Sequence, residues 1–153
     1  MAEINKSTSR VFAMLGQSGA AFGVGLIDEA EIREDIIVLS ADMAKPAGLS
    51  KFATLYPENF YNVGIAEQNL VGVAAGMVNE GFKVIASAQA CFLSMRCYEQ
   101  VRQFSGYMEL PIIYLGVSAG FGLTFFGNTH YALEDISLYR SIPGMKVISP
   151  SDP

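Results

Sequence analysis

Five short apolar runs recur along the chain with helix-like stretches between them, and this alternation constrains the fold more than any other feature. The runs cover residues 35–40, 59–63, 83–87, 111–117 and 145–149. Each is long enough for a buried strand and too short for a helix. The intervening segments 9–32, 67–79, 92–104 and 131–139 read as helices, and a glycine-rich loop covers 118–127. Strands that are apolar throughout, instead of alternating, are buried on both faces, which indicates a mostly parallel sheet covered by helices. The expected fold class is α/β, a three-layer sandwich forming one domain over 1–153. In open sheets of this kind ligands collect at the carboxyl ends of the strands. The polar oddities fall there: Asp42 after the first run, Gly64 to Glu67 after the second, Gln89 and Phe92 after the third, and the loop towards His130 after the fourth.

Composition removes several function classes. The chain has 153 residues, 51% hydrophobic and only 16% charged, an apolar excess that suits faces covered by another subunit or domain. A net charge of −5, with the ten basic residues scattered, argues against nucleic acid as a partner. No apolar stretch reaches the roughly 18–20 residues of a membrane span, and the start lacks a secretory pattern. Cys91 and Cys97 stand six apart on an expected helix, a poor geometry for a disulfide, and with a single histidine they exclude the usual zinc spacings. A reduced cytoplasmic protein is the natural expectation. The closing run from Ile148 to Pro153 places two prolines directly after a strand, so a new element is expected there, as in one piece of a longer polypeptide.

The run Gly64-Ile65-Ala66-Glu67-Gln68-Asn69 puts one carboxylate at the mouth of an apolar, small-residue helix. Electrostatics alone can explain it, because an acidic residue in the first turn interacts favourably with the helix dipole by about 0.3–1 kcal/mol. The second explanation is catalytic: a half-buried carboxylate can share a proton with a heterocyclic nitrogen and change its electronics.

With these elements placed, the sequence resembles the pyrimidine-binding domain of the transketolase family of thiamine diphosphate enzymes. The resemblance runs from Ser9-Arg10 to Pro150 and is carried by several segments in order. They are Ser40-Ala41-Asp42, Phe60-Tyr61-Asn62-Val63-Gly64-Ile65-Ala66-Glu67-Gln68-Asn69, Met95-Arg96-Cys97-Tyr98-Glu99-Gln100-Val101-Arg102, Gly127-Asn128-Thr129-His130, and the stretch from Glu134 to Met145. It is similar above all to the C-terminal subunit of split transketolases and to the middle domain of deoxyxylulose-phosphate synthase.

The resemblance implies a two-carbon ketol transfer between sugars or sugar phosphates, with Glu67 bonded to the aminopyrimidine of the cofactor and activating it. Phe92 matches the aromatic that stacks on that ring, and Gln89 stands where the family usually has another aromatic. His130 matches a histidine that contacts substrate and moves protons, a role that suits its titration range. Arg10 matches a phosphate-binding arginine near the domain start. Asp42 matches an acidic residue near the cofactor, though a strand-end turn explains it as well. Ser118 stands where many transketolases have a second histidine, Phe126 where an aspartate is common, and Tyr131 where a glutamine is usual. Those changes keep a non-catalytic, structural or regulatory homologue open as an alternative. The beta chain of a 2-oxo acid dehydrogenase is another.

Such a site also needs ligands for the diphosphate and a divalent metal, in this superfamily a Gly-Asp-Gly turn followed by an asparagine. The chain has no Gly-Asp-Gly. The resemblance therefore implies that Mg2+ or Ca2+ and the diphosphate are held by a partner domain or subunit. A homodimer of the pyrimidine domain or a heterotetramer is the assembly it implies.

Overall fold

The computed structural model describes residues 20–150. Arg10 and most of the first expected helix lie outside them. Helix α1 (Ala20–Ala30) leads into β1 (Ile36–Ser40), followed by the short α2 (Ser50–Leu55) and β2 (Phe60–Asn62). Helix α3 (Glu67–Asn79) precedes β3 (Lys83–Gln89). A helical region then runs over 92–107, with π-helical Phe92–Arg96, α-helical Tyr98–Val101 (α4) and π-helical Arg102–Tyr107. Strand β4 (Ile113–Val117) and helix α5 (Asp135–Arg140) follow.

The four strands form one parallel sheet in the order β2-β1-β3-β4. Apolar side chains alternate between its two faces. Ile37, Leu39, Val84, Ala86 and Ala88 pack against Leu70, Val71 and Ala74 of α3 and against Leu93 and Val101. Val38 and Ile85 pack on the other side with Leu26 and Ile27 of α1 and Phe52 of α2. Burial on both faces is why β1 and most of β3 read as apolar runs, whereas the edge strands β2 and β4 are half-buried or exposed over most of their length. The α/β sandwich expected from sequence is the fold found.

The chain builds β2 on one side of β1 and β3 on the other, so the strand order reverses at β1. The crevice outside the carboxyl ends of such strands is where open α/β sheets bind ligands. Two glycines shape the approach. Gly64, at φ +76°, turns the chain between β2 and α3. Gly81, at φ +95°, closes α3: its N–H donates to Val78 O and that of Phe82 to Met77 O, satisfying carbonyls of the last turn.

The fifth expected strand does not form. Residues 145–149 show a strand-like alternation, with Met145 and Val147 half-buried and Lys146 and Ile148 exposed. Among the described residues no strand lies alongside to complete a ladder, and Ile148 is 83% exposed. The last helix is shorter than 131–139: a 3-10 turn (Asn128–His130) takes the loop up to Tyr131, and α5 starts only at Asp135.

Cys91 and Cys97 are both buried and unbonded to each other. Burial pushes the Cys97 thiol up to about 12, with Glu67 adding to the rise and Arg96 opposing it. Burial also lifts the Tyr114 phenol to about 12 and raises that of Tyr139 further. All three are neutral in the native state and would ionise at about 9 or 10 once exposed. The folded chain therefore holds more protons than the unfolded one from about pH 9 upward. Its stability should be full below that point and fall as pH rises towards 12. Urea midpoints measured at intervals from pH 7 to 11 check this, and a midpoint flat to pH 11 would contradict it.

Candidate active site

Glu67 is the first residue of α3 and is only 4% exposed. Ala66 before it supplies no side-chain cap, so the carboxylate is not held by local helix-end bonding. Its Oε2 instead accepts a 2.6 Å hydrogen bond from Arg96 Nη1. Among the described residues no protein donor reaches Oε1. A buried carboxylate with one oxygen engaged and one free is a recognition element for a donor that enters from the crevice.

Arg96 joins Glu67 to Phe92. Its guanidinium carbon lies 4.1 Å from the centroid of the Phe92 ring, a cation–π contact. The two residues are the first and last of the π-helical turn Phe92–Arg96. Irregular turns of this kind occur often at functional sites. Gln68 Nε2 donates to Arg96 O at 3.1 Å, fixing the arginine backbone, while its side chain is 43% exposed.

The other edge of Phe92 meets His130, with ring centroids 5.2 Å apart in an edge-on arrangement. Phe126 covers one face of the imidazole at 4.7 Å and 28°. His130 Nδ1 shares a 2.9 Å hydrogen bond with Thr129 Oγ1. Gln89, buried at the end of β3, reaches His130 O through Nε2 at 3.5 Å. Paired backbone bonds between Gly120 and Ala132, both 3.0 Å, tie off the loop that carries these residues. Glu67, Phe92, Gln89 and His130 are thus brought into one cluster.

Asp42 and Ser118 stand apart from that cluster. Both take positive φ at strand ends, 57° and 60°, where a non-glycine residue is unusual. Asn62 explains the first. Its Oδ1 accepts from the N–H groups of Asp42 and Gly64, both at 3.0 Å, and its Nδ2 donates to Asp42 Oδ1 at 3.3 Å. Asp42 therefore braces the turn that delivers Glu67. Ser118 makes no side-chain hydrogen bond among the described residues.

Sequence reasoning missed Arg96 as a member of the site. The signal was available: Arg96 follows Phe92 by four residues, a spacing that puts two helical side chains side by side. Chemically, the cluster offers an aromatic ring, a buried acceptor and a histidine at the carboxyl end of the sheet. That set suits a flat, nitrogen-containing ring with a donor on its edge. The rim is apolar, with Phe121, Phe125 and Phe126 exposed in the loop and Ile65 exposed beside Glu67.

Known proteins resemble this chain in sequence and in fold. The family model described as transketolase, pyrimidine binding domain, matches residues 17–153. The chain is 37% identical over 127 residues to one of the subunits of the apulose-4-phosphate transketolase of Phocaeicola vulgatus, covering 83% of this chain and 41% of that protein. It is 36% identical over 129 residues to 1-deoxy-D-xylulose-5-phosphate synthase of Carboxydothermus hydrogenoformans, covering 84% of this chain and 20% of that one. It thus spans about two fifths of the first relative's length and one fifth of the second's. Among solved structures, a split-gene transketolase described as an inactive β4 tetramer superposes with a TM-score of 0.75 at 39% identity, covering 86% of this chain and 42% of that one. The transketolase of Campylobacter jejuni shares the fold, with a TM-score of 0.78 at 20% identity over 88% of this chain and 22% of that one.

Proposed function

The chain belongs to the transketolase pyrimidine-binding family, and from that membership we propose that it is the pyrimidine-binding half of a thiamine diphosphate-dependent, transketolase-like enzyme. The reaction class in this reading is transfer of a two-carbon ketol unit between sugars or sugar phosphates. The observation that carries it is the buried carboxylate of Glu67 beside the ring of Phe92, joined through one arginine.

The residues fit the cofactor's aminopyrimidine end. Phe92 presents a ring face for stacking, Glu67 Oε1 is free to accept from a ring N–H, and Gln89 lines the same end of β3. When bound, the cofactor supplies the carbanion-stabilising chemistry that no side chain can. The protein's share is to hold a proton between Glu67 and the ring nitrogen, to exclude water with the aromatic rim, and to move protons at the substrate through His130. The Thr129 hydroxyl shares a hydrogen bond with Nδ1 of His130 and so fixes the orientation of the imidazole.

The other end of the cofactor needs ligands for a diphosphate and a metal. Among the described residues no group of three or more His, Cys, Asp or Glu could hold a metal ion. The diphosphate and its divalent cation would then be bound by a partner subunit or domain, a division that the split gene of the neighbouring transketolase makes natural.

Two consequences follow for the isolated chain: no tight binding of thiamine diphosphate, and no turnover. Titration calorimetry with thiamine diphosphate and Mg2+ should give no measurable saturation below millimolar ligand. Addition of the diphosphate-binding partner should restore both binding and activity. Micromolar binding by the chain alone would sink the proposal.

A further inference from the structure

Arg96 makes, by itself, both kinds of contact that an aminopyrimidine would make here, its bond falling on Oε2 of the Glu67 carboxylate. Its planar group lies on the face of Phe92 and donates a short hydrogen bond to the buried carboxylate of Glu67. We propose that Arg96 is a built-in stand-in for the pyrimidine ring, seated on Phe92 and Glu67 when the site is empty and displaced into solvent when the cofactor enters. This inference rests on the reading of the site as a pyrimidine seat.

Three features support it. Glu67 is almost fully buried, and a buried carboxylate with no partner is strongly destabilising, so the ligand-free chain needs a replacement donor. Arginine is the side chain best suited to replace a ring, being flat, a multiple donor, and weakly enough hydrated to stack on an aromatic face. Its surroundings also permit departure. The side chain is 43% exposed, and among the described residues no hydrogen-bond partner besides Glu67 holds its guanidinium.

The arrangement makes Arg96 a positioning residue. It holds the Glu67 carboxylate in the direction from which the ring N–H must arrive, and it keeps Phe92 from collapsing into the crevice. It also sets a threshold on affinity, since any ligand must match both contacts to displace it. A ring lacking either an edge donor or a flat face would recover only half of what is lost.

The test uses the chain assembled with its diphosphate-binding partner and measures thiamine diphosphate affinity by calorimetry for the wild type, Arg96→Ala and Arg96→Lys. Removing the competitor should tighten binding on the order of tenfold in Arg96→Ala, because a cation–π contact and a charge-assisted hydrogen bond no longer oppose entry. Arg96→Lys, which keeps the charge partner of Glu67 and hence the fold but cannot plate the ring, should fall between the two. Unchanged or weaker binding in Arg96→Ala, with the wild type still binding, would overturn the stand-in role alone. Absence of binding in all three would overturn the pyrimidine-seat reading and this inference with it. A second readout is independent of affinity: the Arg96 Nη–H resonances should be protected from exchange in the ligand-free complex, where Nη1 donates to Glu67, and lose that protection when thiamine diphosphate is added. Protection that persists would show Arg96 staying on Glu67, against the proposal.

Discussion

Glu67→Gln should reduce turnover of the reconstituted complex by about 10²–10⁴-fold, the range over which a positioned proton-transfer group acts. The substitution is nearly isosteric, so the crevice keeps its shape. Arg96 Nη1, now 2.6 Å from Glu67 Oε2, can still donate to the amide oxygen. What disappears is the ability to hold a proton between side chain and ring nitrogen. In free-energy terms the barrier rises by about 3–5 kcal/mol. Assembly with the partner, followed by size-exclusion chromatography, should be unaffected, because the change removes a buried charge and creates no void. Turnover within threefold of the wild type would refute the proton-sharing role and return Glu67 to a helix-start electrostatic function.

Phe52→Ala should have the opposite profile, a large loss of stability with little effect on chemistry. Phe52 is fully buried on the sheet face away from α3, in the cluster that contains Val38, Ile85, Leu26 and Ile27. Its ring also leans on Tyr56, centroid to centroid 5.1 Å. Truncation leaves a cavity that the parallel sheet cannot collapse into, at a cost of about 3–5 kcal/mol. Against a total of roughly 5–15 kcal/mol for a domain, that is a large share. Urea denaturation should show the midpoint falling steeply, while specific activity per folded molecule in the complex stays near the wild-type value. A midpoint shift worth under about 1 kcal/mol would mean that α2 is not packed as described. Together the two variants separate the face of the sheet that stabilises from the end of the sheet that works.

The parts of the molecule that were legible in the sequence are those where a single physical constraint dominates. β3 is buried on both faces from Val84 to Gln89, and nothing but an apolar run fits there. Glu67 was legible because an acidic residue at the start of an otherwise apolar helix has few explanations. Helix α2 went unread because six residues, Ser50–Leu55, are too few to display a period. Residues 145–149 misled for a different reason. Their alternation is real, but a strand also needs a neighbour's backbone, and the pattern of one segment carries no information about that. The spacing of Arg96 from Phe92 was readable, but its bond to Glu67, 29 residues earlier on α3, was not, because nothing in the local pattern of the Phe92–Arg96 turn announces that contact.

That turn has a consequence for how sites of this type can diverge. A π turn holds one residue more than an α turn, so the position of Arg96 over Phe92 is fixed by a count of residues as much as by their identity. Loss of a single residue between them would rotate everything downstream by about 100° and carry the guanidinium away from both Phe92 and Glu67. Point substitutions in this stretch grade the affinity of the seat. A one-residue deletion would abolish its self-filling in a single step, so length polymorphism between Phe92 and Arg96 is the natural marker by which descendants of this domain would sort into self-filling and open forms.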